Sequence, residues 1–154
     1  MLLGALALLG AAGCEPLGYI QPEPPGPGVL IARRAITSEE DLLARYAAVR
    51  RRHPSLAARL DPVAADHREH LRALRGRVVG GATARPTHGS TSSVPSVPAG
   101  PDHAVATLVT AERHASKRLL GALESAPGPL AQLLASVSAC EATHATLLAP
   151  EAPS

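Results

Sequence analysis

Residues 127–148 read Pro127-Gly128-Pro129-Leu130-Ala-Gln-Leu-Leu134-Ala-Ser-Val137-Ser-Ala-Cys140-Glu141-Ala-Thr-His144-Ala-Thr-Leu-Leu148, and this stretch decides the fold. After the Pro-Gly-Pro turn, Leu130, Leu134, Val137, Glu141, His144 and Leu148 recur at alternating steps of four and three. That period puts all of them on one face of a helix, as core positions of a bundle require. The face is apolar at its ends and polar near its middle. A carboxylate buried alone is very costly, so Glu141 and His144 need partners at the same depth on neighbouring helices.

Working outward, the same period appears three more times. Upstream of the turn, a helix from near Pro101-Asp102 to about Ala126 carries Val105, Leu108, Glu112, Ala115, Leu119 and Ala122. Another over about 55–75 carries Leu56, Leu60, Val63, His67, His70 and Leu74. Asp61-Pro62 is expected to bend it, because Pro is best tolerated in a first turn, and Gly76 ends it. The first helix is expected to begin at Thr37-Ser38-Glu39-Glu40-Asp41, a cap residue followed by acids, and to stop at His53 before Pro54. Its seam is Glu39, Leu42, Tyr46, Val49 and His53. Between helices two and three, residues 76–101 are rich in Gly, Ser, Thr and Pro with no apolar period, which predicts a disordered crossover loop.

Composition points the same way. Of 154 residues, 30 are Ala and 22 are Leu, while Tyr19 and Tyr46 are the only aromatics, so helix is favoured over strand. An all-β sandwich and a large α/β enzyme are excluded, as is single-strand nucleic-acid binding built on aromatic platforms. The net charge of +2 specifies no partner. Fourteen of the basic residues are Arg, scattered except for Arg50–Arg52, which suit a helix C-terminus, so no nucleic-acid partner is expected. The expected fold is all-α, a four-helix bundle of two tight hairpins joined by one long crossover.

In an antiparallel hairpin, residues at equal height are centred on the turn. Glu112 and His144 are centred on Gly128, and His114 with Glu141 on nearly the same point. Glu40 and His67 are centred on the His53-Pro54 junction. Glu112, Glu141 and His144 are therefore expected at one level, with Glu39 or Glu40 near His67. His114 falls off its seam, and His53, His88 and His103 fall at helix ends or in the loop, where solvent reaches them.

Glu141-Ala-Thr-His144 has the Glu-x-x-His form, with a Glu and a His on one helix face. Over 36–148 the chain resembles the ferritin-like di-metal proteins, most of all the small ferritin-like domains of secreted bacterial lipoproteins. Glu112 stands where their helix-three carboxylate would be. The resemblance implies a metal site of Glu112, Glu141, His144, His67 and His70, with Asp66 flanking. Two departures stand out. Helix two offers His67-x-x-His70 in place of the usual motif, and Tyr46 occupies the place of the helix-one carboxylate, leaving Glu39 and Glu40 near that helix's start. Imidazole with carboxylate suits iron, zinc, copper or manganese, so one of these is the implied cofactor.

The N-terminus reads differently. Met1 to Gly13 is a short apolar run followed by small residues, the shape of a signal peptide and too short to span a bilayer as a helix. Ala11-Ala12-Gly13-Cys14 resembles the lipobox of bacterial lipoproteins, which implies lipidation of Cys14 and a place on the extracytoplasmic face of the cell membrane. Residues 14–35 are Pro-rich and are expected to form an extended tether, and 149–154 a tail. Cys140 lies in the apolar pattern of helix four and reads as a small buried hydrophobe. No Gly-x-Ser-x-Gly elbow and no phosphate-binding Gly loop is present, so no reaction is specified. Two functions compete: a membrane-anchored ferritin-like metal binder, and a metal-free structural or protein-interaction module of the cell envelope.

Overall fold

The computed structural model describes residues 26–78 and 96–150. The signal segment 1–13, Cys14, most of the Pro-rich stretch, His88, the middle of the crossover and the last four residues lie outside them. Four helices form: α1 (Pro27–Arg52), α2 (Ala57–Gly76), α3 (Pro101–Ala122) and α4 (Gly128–Leu148). Single 3-10 turns at Pro54–Leu56 and Leu123–Ser125 close the two hairpins. No strand occurs among the described residues. α1 packs on α2 and α3 on α4, and the pairs meet chiefly through α1 against α3. The result is an all-α four-helix bundle compatible with a ferritin-like fold.

α1 corrects one expectation. It starts at Pro27, ahead of the Thr37-Ser38 cap read from the sequence, so residues 27–35 belong to the bundle rather than to the tether. Two features explain this. Pro at the first helical position has its φ preset for helix. Ala32, Ala35, Glu39, Leu42, Tyr46 and Val49 also continue one unbroken three-and-four period, and all of them are buried. Ser38, read as a cap, is instead a buried mid-helix residue whose Oγ accepts a 2.8 Å hydrogen bond from Arg118 Nη2. Gly28 fits the first turn of α1 tightly against the α3–α4 turn, because a Cβ there would lie 2.9 Å from Pro127 Cγ. Pro62 sits inside α2 and leaves the Ala58 carbonyl without its usual donor.

The interior has three tiers. At one end Tyr46, Val49, Leu60, Val63, Val105, Leu108 and Leu148 pack together. At the other, Ala32, Ala35, Leu74, Leu119, Leu130, Leu134 and Val137 form a second apolar cluster. Glu39, His67, Glu112, Glu141 and His144 lie between them, each 0–2% exposed. The seams apolar at their ends and polar in their middle thus become one buried polar layer.

Candidate metal centre

His67 on α2 is the hub of that layer. Its Nδ1 donates to Glu39 Oε2 of α1 at 2.8 Å, and its Nε2 donates to Glu112 Oε1 of α3 at 2.9 Å. His70, one turn along α2, has Nδ1 at 3.4 Å from the same Glu39 oxygen. His144 on α4 has Nδ1 at 3.8 Å from Glu112 Oε2. The hydroxyl of Tyr46 donates to Glu112 Oε1 at 2.5 Å. Two three-donor groups result, Glu39–His67–His70 and His67–Glu112–His144, each with donor atoms within 4.8 Å of one another.

Glu141 belongs to neither group. It lies against Glu39, with Glu112 close enough to repel it, and neither of its oxygens has a hydrogen-bond partner. Asp66 stands at the outer edge, where its Oδ2 accepts from His144 Nε2 at 3.1 Å. Cys140 Sγ is 3.5 Å from the same nitrogen, making Asp66–Cys140–His144 a third donor group on the solvent side. Cys140 is half-buried and faces a donor cluster, so the reading of it as a plain hydrophobe missed this contact. The signal was available: Cys140 and His144 are one helical turn apart and share a face. His114 and His103 are exposed. His53 is half-buried and donates from Nε2 to the Pro98 carbonyl at 2.9 Å, which burial of the α1–α2 junction rather than solvent accounts for.

The layer's electrostatics follow from this crowding. Burial raises a carboxyl, but contact with the His67 and His70 imidazoles outweighs it and holds Glu39 down at about 2. His144 and His67 do the same for Glu112, also at about 2. Burial disfavours a charged His67, yet the flanking Glu112 and Glu39 prevail and push it up to about 9. Glu141 is raised by its own burial, then by the Glu39 and Glu112 carboxylates, and stays protonated at neutral pH. Burial and Glu112 push the Tyr46 phenol far above its usual range.

Hydrogen bonding within the protein leaves the layer incomplete. Among the described residues, seven buried side-chain N or O atoms lack a hydrogen-bond partner. One is Arg50 Nε, which is ion-paired to Asp61. The other six are Glu39 Oε1, Glu112 Oε2, both Glu141 oxygens, His70 Nδ1 and His144 Nδ1. Orphaned buried polar atoms are rare because each costs about 1–3 kcal/mol, and here they converge on one layer. All six are carboxyl oxygens or imidazole nitrogens, which on losing their protons form the donor set that a transition metal takes. Comparison with protein-family models, curated proteins and solved structures brings no match, so the chemistry of the layer has to be argued from its own geometry.

Proposed function

We propose that this chain is a ferritin-like protein that binds transition metal in its Glu/His layer and is held on the extracytoplasmic face of the membrane by a lipid on Cys14. The single observation that carries the metal reading is the convergence of six unpartnered, buried carboxyl oxygens and imidazole nitrogens on one layer. Glu112, Glu141, His144, His67 and His70 are the ligands this reading assigns, with Glu39 added from α1. Asp66 accepts from His144 Nε2, so that His144 would offer Nδ1, on the Glu112 side, to a bound ion. A carboxylate in that position is the usual orienting partner of a metal-bound imidazole. A bound ion supplies Lewis acidity and, for iron, copper or manganese, one-electron redox chemistry. The protein's own residues bind it, orient it and keep it from solvent. The anchor rests on the Ala11-Ala12-Gly13-Cys14 lipobox form.

Chelation tests the metal reading. Loaded at about 100 times its dissociation constant, the ion adds about 2.7 kcal/mol to stability. For a chain of this size that is about 5–10 °C in Tm, and EDTA should remove it. Glu112→Ala, within a donor group, should abolish the gain, and Glu141→Ala should reduce it. A melting curve indifferent to iron, zinc, copper, manganese and EDTA would overturn the metal reading. It would favour the metal-free envelope module, for which the His67 ring already held between two carboxylates is the supporting observation.

A further inference from the structure

The two three-donor groups share one residue, and they share it through opposite atoms. The Glu39–His70 side meets His67 at Nδ1, and the Glu112–His144 side meets it at Nε2. Each side has the same makeup: one glutamate with an unpartnered oxygen, one histidine with an unpartnered Nδ1, and one nitrogen of His67. Resting on the metal reading above, we propose that the layer takes two ions of the copper or zinc class, one on each nitrogen of His67, with its imidazolate as the bridge.

The separations support this. Donor atoms sharing one ion at bonds of about 2.0–2.1 Å stand between about 2.8 Å, at a right angle, and about 4.2 Å, when opposite. On the Glu39 side, His67 Nδ1 and His70 Nδ1 stand 2.8 and 3.4 Å from Oε2, within that span. On the Glu112 side, His67 Nε2 is 2.9 Å from Oε1 and His144 Nδ1 3.8 Å from Oε2, so both oxygens face the ion. The donors of each group lie within 4.8 Å of one another. Three packed elements hold the bridging ring from all sides. Tyr46 lies with its ring centroid 5.3 Å from that of His67, and the His70 and His144 rings lie at 5.7 and 5.2 Å. Imidazole-rich donor sets suit copper and zinc. Charge also balances: binding sends the ring protons of His67 and any carboxyl proton of the layer to solvent, and two divalent ions then offset Glu39, Glu112, the neighbouring Glu141 and the imidazolate. A carboxylate bridge is not needed.

Electron paramagnetic resonance tests the bridge on the full chain carrying Cys14→Ser and Cys140→Ser, which removes thiols that would reduce Cu(II). Loaded with Cu(II) alone, the protein should bind two ions by metal analysis while its signal largely disappears, because the two spins couple through the imidazolate. Loaded with equal Cu(II) and Zn(II), it should regain an uncoupled Cu(II) signal. His70→Ala should bind a single copper and show that signal in full. A circular dichroism spectrum of His70→Ala matching the parent confirms that the variant is folded. One copper per chain in the parent, or two with full uncoupled signals, overturns the bridge and leaves the metal layer standing. No copper or zinc bound to the parent overturns the bridge, and no iron or manganese bound either sinks the metal layer with it.

Discussion

At the residue scale, Glu141 sets the balance between stability and function. A carboxyl raised on folding contributes stability present below its unfolded value, near 4.5, and lost as pH climbs toward its folded value. His67 behaves alike: raised to about 9, its contribution is complete below 6.5 and gone above about 9. Glu39 and Glu112, lowered to about 2, contribute above 4.5 and lose that as pH falls through about 2. The metal-free protein should therefore be most stable near pH 4.5, weakening above it as Glu141 and then His67 lose their contributions and below it as Glu39 and Glu112 lose theirs. Glu141→Gln keeps a donor toward Glu39 without the charge. It should raise the metal-free stability at pH 8 by about 1 kcal/mol or more while reducing stabilisation by metal. Urea midpoints across pH check both halves, and a variant less stable than its parent at pH 8 would contradict the assignment. Metal loading requires deprotonated ligands, so affinity should rise with pH over the range where the apo protein weakens.

At the scale of the element, α1 is the informative helix. Its first turns, Pro27 to Ile36, bury Ala32 and Ala35 against the lower apolar cluster. Ala35→Pro would lie ahead of a helix starting at Ser38 and cost little there. Inside α1 it removes a backbone hydrogen bond and should cost about 3 kcal/mol or more in denaturant unfolding. The cap at Ser38 was misread because a Ser followed by Glu39-Glu40-Asp41 has the form of a helix start. The period running back through Ala35 and Ala32 was the better signal. The seams of α3 and α4 were legible almost residue for residue, since neither helix contains a Pro or Gly between its first turn and Leu120 or Leu148. Leu71 was missed because the seam was stepped by three from His67 to the half-buried His70, whereas the step of four reaches the buried Leu71.

For the whole molecule, the matter is where it sits and what it carries there. No described helix is long and apolar enough to cross a membrane, so attachment by this reading depends on Cys14. Expressed in a bacterium that processes lipoproteins, the chain should partition into a detergent phase, with mass spectrometry finding an acylated Cys14 as the new N-terminus. Cys14→Ser should move it to the aqueous phase. Equal partitioning of the two would remove the anchor. On the body itself, Arg33, Arg34, Arg45 and Arg118 line a groove of about 1100 Å³ between α1 and α3.

Period and composition alone determined that this chain is helical, that four helices pack, and that polar residues fall at one depth. These are consequences of spacing along a helix, which the chain carries locally. Only the tertiary structure decided how those residues meet. Helix rotation and height put both nitrogens of His67 against carboxylates from α1 and α3, left Glu141 beside Glu39 rather than within a donor group, and turned Cys140 toward His144. Such contacts join residues far apart in the chain, as with His67 and Glu112, 45 positions apart. They depend on ångström-level packing that no spacing rule encodes.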